Sequence, residues 1–301
     1  MSTKQQEEAL GYFKAHADDW ESKAQSSGRH KVKVNVIQQR NGYVLAVVDD
    51  RAQTATALDV GCGTGDLVCD LARRGVATLG VDYAQEMIDL ALEKKQAQHL
   101  DNAHFECASI FDFDFAGRRY DVIAANGFIE YISQDELRRF FDLVAEGLAP
   151  GGSFVVGSRN RLFNLFSLNA YTLSELDGPE SDALMREAVS LVSGENLDGL
   201  QALPCAALQR TDTEHANTGI DVTTRFQYTP VQLVQMLHAR GLDLVELYPV
   251  HIHGVSPAFK GEKPEVHVSI SNLLQTHARH NAVLVPFASS FMLHVRKGGR
   301  I

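Results

Sequence analysis

The sequence predicts a doubly wound α/β protein built on a mostly parallel, seven-stranded sheet, and three observations carry that expectation. From Ala57 onward, short apolar runs alternate with amphipathic helical patterns. Those runs are nearly continuous rather than alternating, as befits strands covered by helices on both faces. The first run ends in a glycine-rich turn that opens straight into a helix.

In chain order, residues 1 to 30 read as an amphipathic helix, with Leu10, Phe13, Ala17 and Trp20 at helical spacing before a Ser26-Ser27-Gly28 break. Val34 to Val48 reads as a second helix. Strands are expected at Ala57–Val60, Thr78–Asp82, Ala103–Cys107, Tyr120–Ala125 and Ser153–Gly157, with helices at Asp66–Arg74, Ala84–Gln98 and Asp135–Leu148. Pro150-Gly151-Gly152 is the turn that starts the fifth strand. Residues 159–228 break the rhythm and read as an inserted cap with a helix near Ser181–Ser193. Beyond it come a helix at Pro230–Arg240, a strand at Leu242–Val250, a helix near Val268–His280 and a strand at Ser290–Arg296. The expected division is 1–56 as N-terminal lid helices, 57–158 as core, 159–228 as cap and 229–301 as the rest of the core sheet.

Composition narrows the function classes. Of 301 residues, 45% are hydrophobic and 22% charged, which excludes global disorder. Lys plus Arg number 28 against 38 Asp plus Glu, a net charge of −10, the wrong sign for a general nucleic-acid binder. No apolar run follows the N-terminal charges, so no secretory signal is expected, and Asn281 to Val295 is too short and interrupted to span a bilayer. Cys62, Cys69, Cys107 and Cys205 lack metal or redox spacing. The first three read as small buried residues in a reducing cytoplasm.

The sharpest feature is Leu58-Asp59-Val60-Gly61-Cys62-Gly63-Thr64-Gly65. The spacing is G-x-G-x-G, not the G-x-G-x-x-G of dinucleotide binding. Asp59, two residues ahead, suits a ligand carrying an ammonium group and would repel a pyrophosphate. The second strand ends at Asp82, about 20 residues on, where a carboxylate takes both hydroxyls of a ribose. A tight strand-to-helix turn with a helix-capping Asp is the alternative.

These residues resemble the class I S-adenosylmethionine-dependent methyltransferases. So do Gly80-Val81-Asp82-Tyr83-Ala84-Gln85-Glu86-Met87, Tyr120-Asp121-Val122-Ile123 and Leu148-Ala149-Pro150-Gly151-Gly152-Ser153. The resemblance covers roughly residues 34 to 160 and implies a Rossmann-like core. It implies that Asp59, Gly61, Gly63 and Gly65 cradle the methionine portion of S-adenosylmethionine, that Asp82 binds the ribose, and that Tyr83 and Met87 pack on the adenine. Ser109 and Ile110 would flank that ring, and Asn126 and Gly127 would lie under the methionine end. The family often carries an Asp where Ala108 or Ser109 falls and Glu-His where this chain has Glu130-Tyr131. Tyr12 and Trp20 look like the lid helix of small-molecule members. Arg40 matches a position where some quinone-biosynthesis members place an Arg near the cofactor; solvated helix surface is the alternative. The product would be S-adenosyl-L-homocysteine.

Methyl transfer by in-line displacement needs alignment and, for some acceptors, a base. Acceptor residues are therefore expected on loops at the carboxyl ends of the strands. One cluster holds Arg159 and Arg161 beside Phe163 and Phe166, two arginines that could hold an anionic or sugar-like acceptor, with a solvated turn as the alternative. A second holds His251 and His253, two apart and so on one side of an extended segment, expected as base or acceptor contact. A metal there would need a third ligand, such as His267 or His215, and no recognised spacing supplies one, so none is expected. A third cluster holds Arg225 and Tyr228, or is a plain edge strand. The expected acceptor is a small polar molecule, a sugar or natural-product intermediate, methylated on oxygen or nitrogen. A nicotinamide-dependent oxidoreductase and a non-catalytic cofactor-binding subunit are the competing readings. Oligomeric state is not legible.

Overall fold

The computed structural model describes residues 4–15, 34–194, 197–209 and 226–298. Helix α1 (Lys4–Ala15) and helix α2 (Val36–Asp49) precede strand β1 (Thr56–Val60). Helix α3 (Asp66–Arg73), β2 (Ala77–Asp82), α4 (Gln85–Ala97), β3 (Ala103–Cys107) and β4 (Tyr120–Ala125) continue the alternation, followed by α5 (Gln134–Gly147) and β5 (Leu148–Arg159). The insertion contains α6 (Phe163–Phe166), α7 (Thr172–Leu176) and α8 (Ser181–Val192). Helix α9 (Pro230–His238), β6 (Leu242–Ile252), α10 (Pro257–Glu262), α11 (Pro264–Gln275) and β7 (Ala288–Lys297) close the chain.

The strands form one sheet in the order β3-β2-β1-β4-β5-β7-β6, with β7 antiparallel to both β5 and β6. The fold class expected from sequence is the one observed. Its physical basis is the period of two along each strand. Leu58, Val60, Ile123, Ala125, Phe154 and Val156 point to one face, where Leu137, Phe140, Phe141 and Val144 of α5 cover them. Ala57, Val122, Ala124 and Val155 point to the other and meet Tyr43, Val44 and Val47 of α2 and Leu67 and Leu71 of α3. Capping is local: Asn35 accepts from Gln38 N, and capping boxes at Ser133/Glu136 and Thr229/Gln232 start α5 and α9.

From β1 the chain winds outward to β2 and β3, then returns to β4 and winds the other way. The carboxyl ends of β1 and β4 therefore flank the crevice where open α/β sheets bind ligands. Two expectations change. Strand β5 reaches Arg159 and β6 reaches Ile252, so residues expected to lie in loops belong to the sheet. Cys107, expected to be buried, is exposed, because β3 is the edge strand.

Candidate active site

A cavity of about 480 Å³ opens at this crevice, within the range of small-molecule sites. Its first end is the turn after β1. Gly63 N donates to Asp82 Oδ2 (2.9 Å) and Ala84 N donates to Asp82 Oδ1 (3.0 Å), so one carboxylate ties the glycine turn to the start of α4. Each oxygen keeps acceptor capacity for a ligand hydroxyl. Capping and ribose binding are thus compatible roles for Asp82. Gly65 lies outside the cavity wall. Its φ of +76° and the 2.6 Å that would separate an added Cβ from Phe105 make it a packing glycine that lets α3 approach the sheet.

Asp59, Gly61, Gly63, Asp82, Tyr83, Met87, Ser109 and Ile110 all line the cavity. Burial pushes Asp59 up to about 8, with the Asp82 and Asp66 carboxylates adding to the rise. Asp82 is raised by burial too, and the backbone N–H groups of Ala84, Gly63 and Tyr83 oppose the rise. A buried carboxyl beside two others is a place for a cation and a poor place for a phosphate.

Beyond the glycine turn the wall becomes polar. Arg40, buried in α2, sends Nη2 to Ser290 Oγ (3.0 Å) and to Glu130 Oε1 (3.5 Å), and Glu130 has no solvent exposure. Solvated helix surface is therefore excluded for Arg40. Gly127 is shaped by the same guanidinium: at φ +71°, an added Cβ would stand 2.7 Å from Arg40 Nη1. Asn126 Nδ2 donates to Asn41 Oδ1 (2.9 Å), fixing the turn after β4.

At the far end stand His251 and His253, with ring centroids 4.2 Å apart. The extended backbone assumed in pairing them is not what brings them together, since His251 sits at φ +56° in the left-handed region. A third imidazole, His267 from α11, joins them, and nitrogens of the three rings lie within 4.8 Å of one another. His251 Nε2 is 3.0 Å from His267 Nε2, and His251 Nδ1 is 3.1 Å from Ser289 Oγ. Both ring nitrogens of His253 and Nδ1 of His267 are buried without a hydrogen-bond partner. Burial holds His253 down at about 3, assisted by Lys260 and His267, and lowers His251 and His267 as well. Such rings are neutral near pH 7 and weak proton acceptors, which argues against His253 as a strong general base.

Residues 57–152 match the profile of a methyltransferase domain. Over that third of the chain the protein is similar to S-adenosylmethionine-dependent methyltransferases. The ubiquinone biosynthesis O-methyltransferase of Coxiella burnetii is 28% identical over 159 residues, 53% of this chain and 64% of that protein. Its counterpart from Nitrobacter winogradskyi is 32% identical over 111 residues, 37% of this chain and 41% of the relative. The alignments to both relatives thus span less than two thirds of their length. Among solved structures, magnesium protoporphyrin IX methyltransferase from Synechocystis with bound SAH superposes with a TM-score of 0.58 at 14% identity, covering 98% of this chain and 100% of that one. The CcbJ methyltransferase from Streptomyces caelestis gives 0.55 at 18% identity, covering 96% and 98%. Both likenesses concern the fold.

Three acceptor-side expectations need correction. Arg161 does not face the cavity. Its Nε and Nη2 donate to Glu175 (3.0 and 2.8 Å) and its Nη1 to Ala207 O (2.8 Å), a buried clamp inside the cap. Tyr228 is a core residue beside Phe226, again away from the cavity wall. Residue Tyr12 lies on α1, which carries Leu10 against Ala84 and Met87, and is not part of the wall. Trp20, His215 and Arg225 fall outside the described residues. Arg159, expected on the acceptor side together with Arg161, does line the cavity, and Glu130, Lys260, Ser289 and Ser290 line it without having been expected there. Glu130 alone left a local trace, an acid between Phe128-Ile129 and Tyr131-Ile132.

Proposed function

We propose that this protein transfers a methyl group from S-adenosylmethionine to an oxygen, or failing that a nitrogen, of a small polar acceptor such as a sugar or natural-product intermediate. The observation that carries the reading is the single continuous cavity, lined by Asp59 and Asp82 at one end and by Glu130, Arg40, His251 and His253 at the other. Relatives named as O-methyltransferases support oxygen as the receiving atom.

The residues present fit the cofactor by their chemistry. Asp82 keeps lone pairs for two ribose hydroxyls, Tyr83, Met87 and Ile110 offer an apolar wall for a purine, and buried Asp59 suits an ammonium group. A nicotinamide dinucleotide fits less well: its pyrophosphate would meet two carboxylates, and the Gly63 N–H is already given to Asp82. When bound, S-adenosylmethionine supplies an electrophilic methyl group on a positively charged sulfur, so the leaving group needs no acid.

The chain's own part is then placement. Arg40, locked between Glu130 and Ser290, fixes the turn that holds Asn126 and Gly127 under the methionine end. Arg159 and Lys260 give the acceptor end a positive lining that favours an anionic or polyhydroxylated molecule. Closing a polar acceptor over partnerless ring nitrogens of His253 aligns it and excludes water. We further assign 1–56 to lid, 57–158 to cofactor binding, 159–228 to cap and 229–301 to the remaining sheet. A reducing cytoplasm suits four free cysteines, and no helix among the described residues is long and apolar enough to cross a membrane. Calorimetry tests the core of the reading. S-adenosylhomocysteine should bind and NAD should not; the reverse would turn the assignment to an oxidoreductase. Cofactor binding without turnover across sugar, phenol and amine acceptors would favour a non-catalytic subunit.

A further inference from the structure

We propose that His251, His253 and His267 form a binding site for a divalent transition metal of the zinc class, with an open coordination position facing the acceptor end of the cavity. Three imidazole nitrogens converge within 4.8 Å of one another from two elements, β6 with the residue just beyond it and α11. Tetrahedral zinc holds its nitrogens at about 2.0–2.1 Å and so about 3.3 Å from each other. The 3.0 Å between Nε2 of His251 and Nε2 of His267 is close to that edge.

Burial strengthens the geometric argument. An imidazole nitrogen taken from water without a partner carries a desolvation cost, and here His253 leaves two such atoms and the fully buried His267 leaves one. A metal ion held at Nε2 of His251 and His267 takes the lone pair of one His253 nitrogen, an atom that no protein group meets. Outside the triad, Ser289 Oγ stands 3.1 Å from His251 Nδ1. A ring that donates from Nδ1 to that hydroxyl is fixed in the tautomer whose Nε2 lone pair is available, the outer-shell arrangement usual for metal-bound histidine. An all-nitrogen donor set selects zinc, cobalt, nickel or iron over magnesium or calcium.

His251 and His253 line the cavity while His267 stands behind them, so three protein ligands would leave the fourth position on the cavity side. That is the layout of a catalytic rather than a structural zinc site. Resting on the methyltransferase reading, its role is to bind the acceptor hydroxyl. The metal–oxygen bond acidifies the O–H, whose proton leaves to solvent, and the resulting oxyanion is held facing the methyl end of the cavity. Lys260 lines the same space, and an acceptor that enters as an anion offsets both positive charges.

The test uses full-length protein, free of any histidine tag and stripped by chelator, titrated with Co(II) as a spectroscopic stand-in. One equivalent should bind with the visible absorption of four- or five-coordinate cobalt, and Zn(II) should displace it. The His267→Ala protein should bind more than about 100-fold more weakly, and Ser289→Ala roughly 10-fold more weakly. His277→Ala, altering an exposed histidine near the end of the same region, should match wild type. S-adenosylhomocysteine affinity, measured on every variant, reports folding independently. Octahedral-type absorption unchanged by His267→Ala, or no stoichiometric uptake by protein that still binds S-adenosylhomocysteine, overturns the site. Cobalt uptake in protein that fails to bind S-adenosylhomocysteine would instead sink the methyltransferase reading and leave the metal site standing.

Discussion

At one end of the cavity, Gly63 and Asp82 meet across 19 residues of chain, within a single strand-helix-strand unit. At the other, Arg40 reaches Glu130 and Ser290 across 90 and 250 residues, and His251 meets His267 from a helix that starts well after it. The first end is built by backbone geometry, in which glycines and a carboxylate at fixed spacing are the structure. The second is built by side chains whose neighbours depend on the whole sheet order. Local construction is exposed to reading from sequence, whereas assembled construction is not. The two ends should also fail differently when mutated.

The largest expected effect is at the local end. On the proposed reading, Asp82→Ala removes the acceptor for two ribose hydroxyls, each a hydrogen bond to a charged group. Affinity for S-adenosylhomocysteine should fall by roughly 100-fold or more. The same change strips Gly63 N and Ala84 N of their partner, so the melting temperature should fall too. Near-wild-type affinity by calorimetry would mean that Asp82 serves the turn and not the ligand.

This contrast explains what was legible. The central strands β1, β2 and β4 could be read because each is a short apolar run buried on both faces. Asp59, Asp82, Tyr83, Met87, Ser109 and Ile110 line one cavity, as expected, because their positions are counted from strand ends. Arg161 was misplaced for an opposite reason. An arginine beside aromatic residues after a strand looks the same whether it meets a ligand or Glu175, and only the fold of the insertion decides. Nothing in the spacing of His251 and His253 announces His267, which a helix after a proline-rich loop delivers. The polar groups of Ser289 and Ser290 reach the cavity only because β7 runs antiparallel between β5 and β6.

Arg161 supplies the second prediction. Removing one partner of a buried ion pair typically costs about 3–5 kcal/mol because the other charge is left unpaired. Arg161→Ala should therefore destabilise the protein by an amount of that order in urea unfolding, while S-adenosylhomocysteine affinity of the folded protein holds within a factor of about 2. A large loss of cofactor affinity at unchanged stability would return Arg161 to the binding site.

Asp59 sharpens the comparison through pH. Its folded carboxyl titrates near 8 in the open cavity, and an ammonium group beside it would lower that value. The free protein then holds a proton that the complex does not. Binding at pH 7 should release up to about one proton, and affinity should fall as pH drops from 8, by at most about tenfold per unit. Calorimetry in buffers of different ionisation enthalpy counts that proton. Asp59→Asn should abolish the release, and a pH-independent affinity in wild type would show that no cation meets this carboxyl.

The smallest effect is expected where an acceptor contact was read from sequence and the fold placed a core residue. Tyr228 is fully buried among Phe226 and its neighbours, and its hydroxyl has no hydrogen-bond partner. Burial, with Glu130 nearby, raises its phenol well above the ordinary value, so it stays neutral throughout the working range. Phenylalanine keeps the ring and its packing while removing an oxygen whose desolvation is uncompensated. That exchange is neutral or mildly stabilising when a buried polar atom is unpaired. Tyr228→Phe should therefore shift unfolding free energy by no more than about 1 kcal/mol, in the stabilising direction, and leave both cofactor affinity and turnover unchanged. A tenfold loss of turnover at constant stability would place the hydroxyl in contact with the acceptor. It would also mean that the cap closes over the cavity in a second arrangement, with Tyr228 turned out of the core.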